Sequence, residues 1–576
     1  MNILGLNCYG HDSAATLLRN GSVAFAVEEE RLNRIKHSGA FPEEAIREAL
    51  LFCGLSFSEI DHVAFSWDPK ITYAKIPLYL MRYWKTLPIL LRERGGFSME
   101  ENLGMFNYLK DIRNIPKKLE EIFLNKQKGQ FKFHLLEHHL CHAASCFYPS
   151  GFDEAAILTI DGAGEWSTTM LAHGRGNKIT KLRTVETPHS LGAFYQAISR
   201  HLGFKLIEGP GKLMGLASYG NRNSKEYKKL AKLIRLLPSG GFEIDMSYFA
   251  YHYSRKNSVT QKFIEEFGPA NSTGGEWSER ELNLATAAQH IVEDVVLHLI
   301  GKLSKTFKSP NLCMAGGVAL NSVTNGLIAK SGIYESIFIQ PAAGDSGTSL
   351  GGALLVEHGI LGRPREHPQR DSFLGPEYKS SDYQVALEEV SLSFERMPHP
   401  GLFDYAAKKI CDGEIVAWFQ GRMEFGPRAL GNRSFLATPL KKEMKDILNA
   451  RVKFREGFRP FAAIVLEEDV GRYFDCAYQN PYMLFVYHVK EEYRHILPSI
   501  THVDNSVRIQ TVNQQENPDL YALLKAFKRL TGHSVIINTS FNIKGEPIVC
   551  SPRDAVNSFN NADVDVLIMG DFVSTK

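Results

Sequence analysis

Residues His138–Trp166, HHLCHAASCFYPSGFDEAAILTIDGAGEW, leave this chain few folds to choose from. His138 and His142 are four residues apart, so on a helix they share one face, one turn apart. Two imidazole nitrogens placed that way can share one metal ion. Pro149-Ser150-Gly151 then breaks the helix, and AAILTID reads as a continuous apolar strand, the kind that is buried on both faces. The strand ends in Asp161, with Gly162 and Gly164 behind it. A carboxylate at a strand end followed by glycines brings charge and backbone N–H groups up to phosphate and metal. An HxxxH alone is more often a coincidence of helix composition than a site; the Asp-Gly-x-Gly turn directly behind this one favours the site.

The same grammar recurs downstream. In NLCMAGGVALN a strand ends at Ala315, Gly316-Gly317 make a turn, and a helix begins near Ala319, with Asn321 in its first turn. Backbone amides at such a start favour an anionic or nucleotide ligand, although a plain tight turn is the simpler reading of any one GG pair. SIFIQPAAGDSGTSLGGALL places Asp345 among glycines after another strand. Two Asp-Gly turns, one GG turn and one HxxxH together predict two related α/β lobes with a nucleotide and a metal between them. GPGKLMGLASYG, with Lys212 inside it, is weak evidence for a phosphate loop. At the N-terminus, residues 2–8, GHDSAATLL and SVAFAVEEERL read as a three-strand meander with a hairpin at Asn20-Gly21. Its first turn carries His11, Asp12 and Ser13; a solvated turn histidine is the commoner fate of such a residue. Lys36 lies in the loop before a helix that starts near Pro42 and closes at Gly54.

A length of 576 residues exceeds one hydrophobic core and predicts two domains. Pro, Gly and charge concentrate at 361–382, which divides the chain into 1–360 and 391–576 with a linker over 361–390. The second part holds arginines interleaved with glycines: Arg422, Arg428 and Arg433, then Arg455 and Arg459 before an apolar strand, then Arg508. Asn538, Ser540 and Asn542 fall at the end of a further strand. Arginine forks match phosphate and carboxylate oxygens bidentately, and a cluster at strand ends suits a small dianion. Surface ion pairing would explain any one of these arginines but not four in loops fixed by Gly and Pro. Residues 70–130, basic, aromatic and helix-biased, are expected to shape an acceptor pocket or to form a lid or dimer surface, with equal weight. Residues 221–280 read as peripheral helices and loops.

A formal charge of +2 gives no general case for nucleic acid or membrane. The eight cysteines contain no CxxC, which speaks against a zinc ribbon or a disulfide framework. IPLYLMRYWKTLPILL carries Arg82, Lys85 and two prolines and reads as a buried or amphipathic piece, not a span. The expected setting is cytoplasmic, with no signal peptide.

GHDSAATLL, HHLCHAAS, Asp-Gly-x-Gly-Glu, KLMGLASYG, AGGVALN and GDSGTSLGGAL resemble the O-carbamoyltransferases of nodulation-factor, cephem and tobramycin type. FGPRALGNRS, FREGFRPFA and NTSFNIKGEPIV resemble the second domain of that family. The resemblance implies an α/β protein: an actin-like ATPase domain of two lobes, followed by a YrdC-like α/β domain. It implies that carbamoyl phosphate and ATP give carbamoyl adenylate in the second domain, with Arg428 and Arg459 on carbamoyl phosphate and Ser540 and Asn542 on the nucleotide side. It implies transfer in the first domain to the hydroxyl of a small molecule, with His11 as general base and Tyr9 and Lys36 facing the acceptor. Gly162, Gly164, Gly316, Gly317, Asn321 and Asp345 match the nucleotide side of that domain. His138, His142, Asp161 and Asp345 match the ligands of Fe²⁺ or a similar divalent ion, with Mg²⁺ a further expectation, and a homodimer is expected. The rivals are a carbamoyltransferase acting on a protein cysteine or on tRNA, and a non-catalytic actin-like nucleotide-binding regulator. The absence of CxxC modules, the balanced charge and the arginine-rich second domain speak against them in turn.

Overall fold

The opening alternation builds β1 (Asn2–Asn7), β2 (Ala14–Arg19) and β3 (Ser22–Glu28). Asn20 and Gly21 turn the second hairpin with φ of 50° and 82°, both in the left-handed region that the tight hairpin turn requires. With β4 (His62–Phe65) and β5 (Lys132–Leu135) these strands form a sheet of order β3-β2-β1-β4-β5. β1 runs antiparallel to β2 and parallel to β4, and β4 is parallel to β5. The structure, a computed structural model, describes all residues except 85–103, 255, 273–274 and 477.

The order then repeats. β6 (Glu154–Ile160), β7 (Ser167–Arg175) and β8 (Lys178–Glu186) make a second meander, and β9 (Ile234–Leu237) pairs with β10 (Gly241–Ile244) as a separate hairpin. β11 (Asn311–Ala315) and β12 (Ser336–Ile339) complete a sheet of order β12-β11-β6-β7-β8. β6 is antiparallel to β7 and parallel to β11, which is parallel to β12. One sheet topology used twice in succession is the plan of the actin-like ATPase fold. Its consequence is positional: β1 and β4 in one sheet, and β6, β11 and β12 in the other, present their carboxyl ends along one edge, where α/β sheets bind ligands.

Two helices lie between these sheets. Helix His138–Phe147 packs on β6 and β11, and helix Ser346–Leu354 packs on β1, β2 and β4. They also press on each other, because glycines remove the side chains that would hold them apart. A Cβ at Gly351 would fall on the carbonyl oxygen of Cys141 in the other helix, and in the same way a Cβ at Gly5 of β1 would fall on that of Ser349, so the strand packs as closely on the second helix. The glycine-rich GPGKLMGLASYG is a helix, Gly209–Leu216, not a loop. The region 221–280 contains the β9–β10 hairpin as well as helices Lys225–Ala231 and Gln261–Phe267; short strands of mixed composition give little periodicity to read. The stretch 70–130 forms helices Pro69–Tyr83 and Gly104–Phe123 at its flanks, and its middle lies outside the described residues. Among the described residues no helix is long and apolar enough to cross a membrane.

The described residues gather into two compact units. The first comprises Met1–Ala24, Gly39–Thr324 and Ser331–Pro368; the second comprises Phe25–Ser38, Asn325–Lys330 and Gln369–Lys576. The range 361–390 holds a helix, Ser380–Glu389. The sheet of the second unit contains β13 (Glu395–Arg396), β14 (Val416–Phe419), β15 (Arg433–Ala437), β16 (Ala462–Leu466) and β17 (Val486–His488). β18 (Ser506–Val512), β19 (Val535–Ser540), β20 (Val566–Met569) and β21 (Phe572–Thr575) complete it. Their order is β13-β21-β20-β14-β15-β19-β16-β18-β17. Helices Gly401–Asp412 and Pro518–Thr531 bury Leu402, Ile410, Leu523 and Phe527 against Trp418, Leu436, Ile464 and Ile536 of this sheet.

The tight helix contact in the first unit yields a test. Gly351→Ala should destabilise the protein by about 1–3 kcal/mol through overpacking, read as a lower urea midpoint with an unchanged slope. An unchanged midpoint would mean that the two helices are not in contact at Gly351.

A candidate metal centre and a candidate anion site

The edge formed by the strand ends of the first unit collects four ligand-type side chains. His138 and His142 come from the first turns of their helix, Asp161 follows β6, and Asp345 precedes helix Ser346–Leu354. One donor atom from each lies within 4.8 Å of the others. Asp161 Oδ2 is 3.3 Å from His138 Nε2 and 3.0 Å from His142 Nε2. The two Nε2 atoms are 3.1 Å apart, and Asp345 Oδ1 is 3.6 and 3.7 Å from them. His138 gives its Nδ1–H to the carbonyl of Ser66 at 3.3 Å, which leaves Nε2 as the lone-pair nitrogen. A neutral imidazole therefore aims a lone pair at a carboxylate, an arrangement that needs either a proton or a cation between them. Burial opposes a charge on His138, but Asp161 and Asp345 outweigh it and raise its pKa to about 9. Two nitrogens and two carboxylates converging in this way fit a divalent transition-metal ion.

Asp161 is held from behind. Its Oδ1 accepts the N–H groups of Gly162 at 2.7 Å and of Gly317 at 3.2 Å. Gly316, with φ of 93°, runs so close to β6 that a Cβ would strike the Ile160 carbonyl. The GG turn thus fastens a carboxylate as well as opening a helix. Gly164 donates to Ser167 O at 2.8 Å and packs against His138 and His139. Asn321 caps helix Ser322–Ser331 through the Thr324 N–H and exchanges hydrogen bonds with Gln289.

His11 stands beside the quartet, with its side chain about half exposed. Nε2 is 3.7 Å from Asp345 Oδ2 and Nδ1 is 2.9 Å from Asp12 Oδ2. The Asp345 charge, more than Asp12, raises its pKa to about 10 against the opposing effect of burial. Asn7 Nδ2, donating to the carbonyls of His11 and Asp12 at 3.2 and 3.1 Å, shapes the turn, in which Tyr9 and Asp12 take φ of 71° and 51°. Tyr9 stacks on Phe41 at 6.3 Å, with the Lys118 ammonium over both rings.

The second unit gathers cations instead. The register sets Ala462 of β16 opposite Asn538 of β19 and Ser434 of β15 opposite Ser540, so the loops around these residues meet at one sheet end. Arg428 is carried by the β14–β15 loop, Arg455 and Arg459 precede β16, and Arg508 lies on β18. Burial, with the Arg459 charge added, lowers Arg428 to about 10 and Arg455 to about 9. Arg508 falls well below its ordinary value through burial and the charges of Arg428, Arg459 and Arg455. The Nε atoms of Arg428 and Arg508 are buried without a hydrogen-bond partner among the described residues. Lys453 is depressed by burial and then by Arg455, Arg459 and Lys36; its Nζ donates to Ser540 Oγ at 3.3 Å and to Asn542 Oδ1 at 2.9 Å. Cations that disfavour one another in this way call for a polyanion.

Not every arginine of the motif joins them. Arg433 is buried over Phe419 and donates to the carbonyls of Gln420, Asn432 and Gly421, while Arg422 donates to Gly375 and Leu374. Glu424 accepts from the N–H groups of Leu430, Asn432 and Arg433, and Asn538 and Gln510 donate to the Ala429 and Leu430 carbonyls. These groups hold the Arg428 loop. Lys453, Glu424 and Asn7 were not singled out by sequence reasoning. The FREGFRPFA motif that begins right after Lys453 was the only signal for that lysine, and nothing marked the other two.

Known proteins place the chain further. The family models for the carbamoyltransferase N-terminus and C-terminus match residues 2–354 and 407–576. An uncharacterized Synechocystis protein is 40% identical over 100% of this chain and 97% of its own. The nodulation protein NolNO of Sinorhizobium fredii is 36% identical over 99% of this chain and 80% of its own. A 3'-hydroxymethylcephem-O-carbamoyltransferase of Amycolatopsis lactamdurans is 30% identical over 66% of this chain and 73% of its own.

The quartet predicts metal binding that competes with protons. His138→Ala with His142→Ala should abolish stoichiometric divalent metal, measured by mass spectrometry, in a protein that stays folded. In chelator-treated wild type, a histidine raised from 6.5 to about 9 stabilises fully below pH 6.5, and that stability is lost as pH rises through 9. Denaturant titrations across this window should show a steeper decline in wild type than in the double variant, where His11, raised to about 10, still contributes.

Proposed function

This chain belongs to the carbamoyltransferase family, and on that premise we propose that it is an ATP-dependent O-carbamoyltransferase. It makes carbamoyl adenylate from carbamoyl phosphate and ATP in the second unit, then passes the carbamoyl group to a hydroxyl of a small-molecule acceptor. The observation that carries this reading is the cluster of Arg428, Arg455, Arg508 and Lys453, each held below its ordinary pKa by burial and then by neighbouring cations, the Arg459 charge among them, with Lys453 donating to Ser540 and Asn542. Carbamoyl phosphate and the ATP triphosphate are the anions that would balance it. The cephem relative, by its name, carbamoylates a hydroxymethyl oxygen, which favours an alcohol acceptor over a cysteine or tRNA.

The chemistry divides between the units. Carbamoyl phosphate gives up its phosphate to water, and the freed carbamate oxygen attacks the α-phosphorus of ATP as pyrophosphate leaves. Carbamate, a poor electrophile, thereby gains a good leaving group, and arginine forks hold the reacting phosphates by paired N–H donors. In the first unit an alcohol loses its proton as it attacks the carbamoyl carbon, the C–O bond to AMP breaks, and AMP leaves with the electron pair. His11 is the base for that proton. A pKa near 10 would keep it protonated at neutral pH, and Asp345 is the main cause. Asp345 is also one of the four residues that would hold a divalent ion, whose charge would offset the pull of that carboxylate on the His11 proton. An iron-type divalent ion on His138, His142, Asp161 and Asp345 would supply neutralisation of nucleotide phosphate charge. The acceptor meets Tyr9 beside His11 in the first unit; Lys36 belongs to the second unit, where its charge bears on Lys453.

Carbamoyl-phosphate-dependent exchange of pyrophosphate into ATP reads the first half-reaction and mass-detected carbamoylation the second. Arg428→Lys should slow exchange ~10–100-fold, the worth of a charge-assisted hydrogen bond; undiminished exchange would reject the clamp. His11→Ala should leave exchange near wild type and slow transfer ~10²–10⁴-fold. Loss of both steps in His11→Ala would make the turn structural.

A further inference from the structure

Glu165 lies on the same turn as Asp161 and touches none of the four ligand atoms. It is buried, 8% exposed. Its Oε1 accepts the N–H of Asp68 at 2.8 Å and the N–H of His138 at 3.0 Å, and Oε2 is 3.2 Å from the same His138 nitrogen. One carboxylate thus pins two backbone segments. The first is the opening residue of helix His138–Phe147, whose unsatisfied amides and positive dipole end favour an anion. The second is the loop after β4. From that loop the Ser66 carbonyl takes the His138 Nδ1–H, and the Trp67 ring lies 5.6 Å from the His138 ring. Ser66 Oγ in turn accepts from Thr348 Oγ1 at 2.7 Å, and Thr348 Oγ1 is also 2.6 Å from the Asp345 carbonyl.

Resting on the reading of the quartet as a metal centre, we propose that Glu165 is a positioning residue for that centre. It holds the backbone of His138 and, through residues 66–68, the carbonyl that orients its ring, and so aims Nε2 at the metal. Partners of this kind typically govern metal affinity 10–100-fold. The tie is made through backbone amides, which is why no pattern of ligand-type residues reveals it.

The test uses the full-length chain loaded with Co²⁺, whose visible spectrum reports ligand geometry. Affinity is measured by competition with a chromophoric chelator for wild type, Glu165→Ala and Glu165→Gln, with the His138→Ala, His142→Ala double variant as the control for the site itself. Glu165→Ala should bind Co²⁺ ~10–100-fold more weakly with an altered spectrum. Glu165→Gln, which keeps one acceptor oxygen, should recover part of both. Wild-type affinity and spectrum in Glu165→Ala would overturn the proposal. So would unfolding of both variants by circular dichroism, which would make Glu165 a folding residue. Should wild type and the double control bind Co²⁺ equally, the metal reading itself fails and Glu165 with it.

Discussion

The Asp161 carboxylate is the node on which the first unit depends. One oxygen is fixed by the Gly162 and Gly317 amides, and the other faces His138 and His142. Those contacts reach a strand, a helix and a turn from three distant parts of the chain. They require that β6 and β11 run parallel and end together, that the helix after β5 lie on the sheet begun by β6, and that Gly316 have no side chain. The duplicated sheet is therefore more than a scaffold: its shared carboxyl edge is the one place where residues 11, 138, 161 and 345 meet.

The second unit solves the opposite electrostatic problem. It assembles guanidinium groups and an ammonium whose charges destabilise one another in partly buried surroundings. Such an arrangement persists because the backbone around it is over-determined. Glu424 gathers three amides, Asn538 and Gln510 hold two carbonyls, and Arg433 fills the loop from beneath. A preorganised cationic pocket has no reorganisation left to do when an anion arrives, which is how enzymes favour charge development on phosphate. The same economy runs through both units: backbone groups carry the positioning, and side chains carry the chemistry.

Much of this was legible in advance because the signals are local. HxxxH on a helix, apolar strands ending in Asp-Gly or Gly-Gly, and glycine-framed arginines each follow from short-range geometry, and the structure brings His138, His142, Asp161 and Asp345 within one ion's reach. Legibility failed where a residue's role depends on what arrives from elsewhere. Arg422, Arg428 and Arg433 look alike in sequence, yet Arg428 joins the cation set while the other two bond to carbonyls. Lys212 sits in a helix and not in a phosphate loop, because glycine spacing does not distinguish a close-packed helix from a cradle.

Sequence by itself determined the α/β class, the two-part plan, the ligand-type residues and the arginine-rich second half, since strand burial, turn chemistry and charge are properties of neighbouring residues. Tertiary structure alone decided that one sheet order occurs twice, that residues 25–38 and 325–330 count with the second unit, and that Lys453 meets Ser540 and Asn542, Glu424 the loop of Arg428, and Glu165 the amide of His138. The physical reason is that a buried charge has no meaning until its partners are placed. Glu165 is one more acidic residue until the amides of Asp68 and His138 converge on it, and only the packing of two sheets and the helices between them brings those amides together.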